Sequence, residues 1–167
     1  MLSMTWRVCV RGHETARRAP SQEVRMKVRE VMTSDPVVVS PETSIEAVLS
    51  LMRERGIRHV PVVDGDGIVG MVSDRDLTFI HSMPGVFTML SPADVQGVLE
   101  EPVATIIKSR FLVDRDVVTV GPDDEVARAV EALLMYRVGA LPVVEGDEVV
   151  GVVSVIDVLR QAAERWS

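Results

Sequence analysis

The sequence predicts an α+β fold built from two β-α-β-β-α repeats, and three observations predict it. Residues 37–77 (VVVSPETSIEAVLSLMRERGIRHVPVVDGDGIVGMVSDRDL) align without a gap on residues 118–158 (VTVGPDDEVARAVEALLMYRVGALPVVEGDEVVGVVSVIDV), at an offset of 81. Such self-similarity marks a duplicated supersecondary unit. Within each copy the apolar positions change from helical spacing to short strand-like runs broken by Gly and Asp. The chain is 47% apolar but only 4% aromatic, so its interior must be built from aliphatic side chains and Met.

The elements follow in order. Val37–Val39 and Val117–Val120 read as short opening strands, being β-branched runs closed by Pro41 and Pro122. A helix comes next. Thr43 is the expected N-cap of the first copy, with Glu46 completing a capping box, and Ile45, Val48, Leu49 and Met52 fall on one helical face. In the second copy Asp124 takes the cap, and Val126, Ala129, Val130 and Leu133 take the stripe. Val60–Val63 and Leu141–Val144 are the second strands. The turns Asp64-Gly65-Asp66-Gly67 and Glu145-Gly146-Asp147 join them to Ile68–Val72 and Val149–Val153, as such turns join antiparallel strands. A last helix starts near Ser73 and near Ser154. Upstream, REVMTSDP corresponds to TIIKSRFLVDRD, the second copy being longer there by the gap of about six residues needed to align them.

One such unit is too small to bury its apolar face, so two copies are expected to pack face to face. The expected organisation is residues 1–25 as a disordered or misassigned extension with Met26 as an alternative start, 26–83 as repeat 1, 84–101 as a linker, and 102–167 as repeat 2. Ser91-Pro92-Ala93-Asp94 opens a short helix within that linker.

Charge and composition exclude several functions. The net charge is −7, and the five Arg of residues 1–25 against Glu14 and Glu23 leave −10 on the remainder. A nucleic-acid footprint is basic and clustered, so no nucleic-acid partner is expected. No apolar run spans a bilayer, and no membrane role is expected. Cys9 stands alone, so an intrachain disulfide is impossible and a cytoplasmic, reducing location is expected. His13, His59 and His81 lack metal spacing, neither G-x-x-x-x-G-K-[ST] nor G-x-G-x-x-G occurs, and no nucleophile, base and orienting acid can be assembled. The expectation is a non-enzyme with no metal and no required cofactor.

The segments Gly56-Ile57-Arg58-His59-Val60-Pro61-Val62-Val63-Asp64 and Gly70-Met71-Val72-Ser73-Asp74-Arg75-Asp76-Leu77, with Gly139-Ala140-Leu141-Pro142-Val143-Val144 and Gly151-Val152-Val153-Ser154-Val155-Ile156-Asp157-Val158, resemble tandem cystathionine-beta-synthase (CBS) domains, the pair also called a Bateman module. The resemblance runs from about Val28 to the C-terminus. It implies a pseudo-two-fold pair with clefts between the repeats. It also implies an adenosyl ligand (AMP, ADP, ATP or S-adenosylmethionine) in those clefts, a regulated enzyme or transporter as partner, and a disc-like homodimer. The rival expectation is a ligand-independent interaction scaffold.

Candidate ligand residues combine both lines. Ser73-x-x-Asp76 and Ser154-x-x-Asp157 are helix capping boxes by spacing alone, and a capped helix start also offers free N–H groups and a positive dipole end. The resemblance assigns the acid to the ribose hydroxyls. It places Arg58 and His59 toward phosphate, where an Arg fork suits the geometry. The second copy has Gly139 and Ala140 there, with Arg137 and Lys108 as its nearest basic residues, so two equal phosphate sites are not expected. Thr33 matches a segment that lines the base pocket in relatives. Val39, Val60, Met71 and Leu141 are adenine-sandwich candidates that ordinary burial statistics assign to the core.

Overall fold

The computed structural model describes residues 25–65, 67–81, 91–110 and 117–166. After a 3-10 turn at Val28–Glu30 the elements are β1 (Thr33–Ser34), α1 (Ile45–Arg55), β2 (His59–Asp64), β3 (Gly67–Ser73), α2 (Asp74–His81), α3 (Pro92–Glu100), α4 (Ala104–Arg110), α5 (Val126–Tyr136), β4 (Ala140–Glu145), β5 (Glu148–Ser154) and α6 (Val155–Trp166). This is the α+β order read from the sequence. Most of residues 1–25 lie outside the described residues.

The hairpins β2–β3 and β4–β5 are antiparallel, and each carries an irregularity at the same relative place, Val62/Val63 and Val143/Val144. The opening strands of the two repeats are shorter than the sequence predicts. Each shrinks to one parallel bridge, Val39 to Val62 and Val120 to Val143. The backbone of Val39 donates to Pro61 and accepts from Val63, and Val120 does the same with Pro142 and Val144. Pro41 and Pro122 follow two residues on and have no N–H to continue the ladder.

Helix starts also shift by one residue. Ser44, not Thr43, caps α1, its hydroxyl accepting from the Ala47 N–H at 3.3 Å, while Thr43 turns to Ser40. In the second copy Glu125 occupies the cap without a side-chain bond. Asp124 instead accepts from the Gly121 N–H at 2.7 Å and pairs with Arg128 at 2.9 Å. At the far helix ends, Gly56 is left-handed with φ 63°, and its counterpart Arg137 is left-handed with φ 54°. The linker capping box forms as read, with Ser91 and Asp94 bonded reciprocally and Pro92 inside the first turn. Those two bonds from Ser91 also hold the exposed Asp94 carboxyl below its ordinary range.

The opening segment of each repeat docks on the other repeat. The Val28 N–H donates to Asp124, Arg29 to Pro122, and Val126 to Met26, at 2.9–3.0 Å. Val103 to Thr43, Ala104 to Pro41, and Ile45 to Glu101 repeat the pattern at 2.8–3.0 Å. Val28 and Val31 thereby enter a core with Leu133, Leu141, Val143 and Val153. Val103 enters the other, with Val48, Val60, Val62, Val72 and Leu77. The strand β1 adds to β5, pairing Thr33 with Val152 and Ser34 with Gly151. Two glycines make room for the crossings. A Cβ on Gly70 would lie 2.7 Å from Ile107 Cδ1, and one on Gly151 would lie 2.5 Å from Met32 Sδ.

Candidate functional site

Both Ser-x-x-Asp motifs sit where a strand feeds a helix, and their geometry is duplicated. At the start of α2 the Ser73 N–H and hydroxyl both donate to Asp76 Oδ2, at 2.9 and 2.6 Å, and the Asp76 N–H donates back to Ser73 Oγ at 3.4 Å. At the start of α6 the Ser154 N–H and hydroxyl donate to Asp157 Oδ2 at 2.9 and 2.5 Å, with the return bond at 3.3 Å. The capping function is therefore built. It fixes each carboxylate through Oδ2 and keeps the side chain at the helix start, where backbone N–H groups and the positive dipole end also face outward. Asp157 is buried and Asp76 half-buried. Asp157 Oδ1 meets Arg160 at 3.3 Å, one turn along α6.

The basic pair at the start of β2 joins the Ser73 end. His59 pairs in register with Ser73, and the Arg58 carbonyl accepts from the Asp74 N–H. The Arg58 guanidinium bonds Asp74 Oδ2 at 2.8 Å in an exposed pair. His59 points across the repeat boundary. A Cβ on Gly139 would lie 2.8 Å from His59 Nε2, so Gly139 leaves the space that the imidazole fills. The Gly139 carbonyl in turn accepts from Val155, at the start of α6. One side chain thus links the two helix starts. Arg58 and Gly139 hold the same position in the two copies, and a larger residue at 139 would displace His59.

The remaining candidates divide between the two ends. Thr33 lies on β1 beside β5 and so joins Ser154 and Asp157. Lys108 lies in α4, directly after Ile107, whose side chain covers Gly70 of β3, which places its backbone toward the Ser73 and Asp76 end. The Lys108 side chain lies outside the described ones. Arg137 is exposed and holds its left-handed backbone two residues before Gly139, a conformation that costs a non-glycine residue about 1–2 kcal/mol. Val60 and Leu141 are buried core, whereas Val39 and Met71 are half-buried. Asp74 and Arg160 join the site only in the structure, and Gly139, read from the sequence as a missing cation, enters it as the space that His59 fills. Arg160 was legible as a helical i,i+3 pair with Asp157, but the other two depend on strand register and on packing between repeats.

Burial holds the His59 imidazole below its ordinary range. The carboxylates of Asp74 and Asp76 act in the opposite sense, and Arg58 and Arg75 reinforce the burial. The unfolded chain therefore binds the proton first. The stability that neutral His59 contributes is complete above its ordinary value of 6.5 and is lost as pH falls below it toward the depressed folded value. Urea unfolding at pH 8 and pH 5.5 should show a larger acid loss in the wild type than in His59→Gln. Equal losses would show that the imidazole titrates as if free in solution.

Among the described residues no cluster of His, Cys, Asp and Glu could hold a metal, and no helix is long and apolar enough to cross a membrane. The CBS domain model matches residues 28–80 and 107–164. The A-adding tRNA nucleotidyltransferase of Aquifex aeolicus is 32% identical over 142 residues, covering 84% of this chain but 15% of that protein. The chain spans 44% and 24% of two further curated relatives. Among solved structures, CBSX2 in complex with AMP matches with TM-score 0.62 and 26% identity, over 84% of this chain and 98% of that one. The CBS domain pair of protein MJ0100, in complex with 5-methylthioadenosine and S-adenosyl-L-methionine, matches with TM-score 0.64 and 20% identity, over 84% and 98% of the two chains. With both repeats matched and the tandem fold shared, the chain belongs to the CBS domain family.

Proposed function

We propose that this chain is a cytoplasmic regulatory module that binds an adenosyl ligand in clefts between its two repeats, forms a homodimer, and modulates a partner enzyme or transporter. The observation that carries the reading is the duplicated Ser-x-x-Asp geometry. A carboxylate held through Oδ2 by a serine recurs at two helix starts, and a charged acceptor in that place suits ribose hydroxyls. The AMP complex of a relative at 26% identity supports the ligand class. The clefts are unequal. Arg58 supplies a guanidinium at the strand start of the Ser73 and Asp76 end, where the second copy has Gly139, and its exposed pair with Asp74 is of a kind worth about 0–1 kcal/mol, so it can turn to a phosphate at little cost.

Titration calorimetry with AMP, ADP, ATP and S-adenosylmethionine tests this. One strong site per chain is expected, with a second that is weak or silent. Arg58→Ala should weaken ATP more than adenosine and flatten the salt dependence of binding. Two equal sites, or full ATP affinity in Arg58→Ala, would remove the guanidinium from the site. No heat with any of the four ligands would leave the ligand-independent scaffold.

A further inference from the structure

Asp76 and Asp157 hold matching places in the two repeats, but the residues one helical turn beyond them differ. Asp157 Oδ2 accepts from the Ser154 N–H at 2.9 Å and from its hydroxyl at 2.5 Å. Asp157 Oδ1 accepts from Arg160 Nη1 at 3.3 Å. Both oxygens of this acid are therefore met by donors from its own stretch of chain. The Asp157 side chain is 12% exposed and the Arg160 side chain 65% exposed, so a sunken carboxylate is paired with a guanidinium at the surface.

The offset of 81 makes this pair a property of repeat 2. It sets Arg160 against Phe79, which has no charge to bring to Asp76, and Val155 against Asp74. In repeat 1 the Arg58 guanidinium bonds Asp74 Oδ2 at 2.8 Å, two residues before the motif's own acid. Repeat 2 has neither partner, since Gly139 replaces Arg58 and Val155 replaces Asp74. Its guanidinium comes instead from the second turn of α6 and falls on the motif's acid itself.

We propose that Arg160 is a latch on the second cleft: by pairing with Asp157 it withholds that carboxylate from a ribose and so helps to select which cleft takes the ligand. The inference rests on the adenosyl reading above and names the residue that weakens one of its two sites. A ribose hydroxyl that reaches Oδ1 must displace a donor carrying a positive charge. Bonds between two charged groups are stronger than those a neutral hydroxyl makes, so the exchange is a loss at that atom. The low exposure of Asp157 limits screening of the pair by salt and water. The i,i+3 spacing keeps the two side chains neighbours on one helix, so the latch closes again without any backbone movement.

Titration calorimetry with AMP on the full chain tests it. The wild type should bind one AMP tightly, and Arg160→Gln should bind two, the second about tenfold or more tighter than the second site of the wild type. The gain should vanish when Asp157→Ala is added to Arg160→Gln, because the released carboxylate is what the second ligand uses. Arg160 is exposed, so the circular-dichroism melt of Arg160→Gln should match the wild type. Two equal AMP sites in the wild type, or a second site unchanged or weakened in Arg160→Gln, would overturn the latch and leave the adenosyl reading standing. A gain that persists without Asp157 would overturn it equally. No heat with AMP, ADP, ATP or S-adenosylmethionine from either the wild type or Arg160→Gln would overturn the adenosyl reading, and the latch with it.

Discussion

Replacing both Asp76 and Asp157 with Ala should abolish adenosyl-ligand binding while the chain still folds. Each carboxylate is pinned by the N–H and hydroxyl of its serine, so its direction is fixed before any ligand arrives. A ribose offers two hydroxyl donors to such a group, and hydrogen bonds to a charged acceptor contribute about 1.5–3 kcal/mol each. Losing both from one cleft costs about 3–6 kcal/mol, more than a hundredfold in affinity. The cost to folding is smaller, about 1 kcal/mol for each lost cap. Calorimetry separates the two effects when run beside thermal unfolding: binding should vanish and the melting transition should fall but stay cooperative. The single variants assign the clefts, and Asp76→Ala should remove the stronger site because Arg58 serves that end. Unchanged affinity in the double variant would leave these residues as helix caps and nothing more.

A chain beginning at Asp35 should fail to fold cooperatively, whereas one beginning at Met26 should match the full chain. The segment from Met26 to Ser34 belongs in space to the second repeat, although it precedes the first in sequence. Removing it takes Val28 and Val31 out of the repeat 2 core, along with the partly buried Met26 and Met32. It also strips β1 from β5 and the three backbone bonds at Asp124, Pro122 and Val126. Burying an aliphatic side chain or Met contributes about 1.5–3 kcal/mol, so even two or three consume much of the roughly 5–15 kcal/mol that holds a domain. A chain starting at Met26 loses, among the described contacts, the exposed Arg25–Glu125 ion pair, of a kind worth about 0–1 kcal/mol. Urea unfolding should show a difference of about half a kcal/mol or less for the Met26 start. A cooperative transition near the wild-type midpoint for the Asp35 start would refute the exchange of opening segments.

The sequence by itself determined what depends on near neighbours. Helical stripes at i, i+3 and i+4, the Gly and Asp turns of both hairpins, the Ser91 capping box and the paired Ser-x-x-Asp motifs all use residues within one or two turns of each other, and all appear in the structure. The duplication was equally legible over residues 37–77 and 118–158. Small local choices already escaped it. Ser44 rather than Thr43 caps α1, and the first strand of each repeat shrinks to a single bridge, because several conformations of similar energy compete there and packing selects one.

The tertiary structure alone decided which elements meet across the two-fold. Nothing near Val28 in sequence says that it completes the core of the second repeat. Nor does anything near Gly139 say that it must stay small for His59, or anything near Gly151 that it must admit Met32. The exposure of Leu134 and Ile156, 73% and 56%, also follows from packing and not from helical spacing. Such contacts are set by shape complementarity between surfaces distant in the chain, and hydrophobic burial rewards any good fit without naming its partner. Local pattern therefore specified the two units and the two carboxylates, and close packing between the units decided how they share one core.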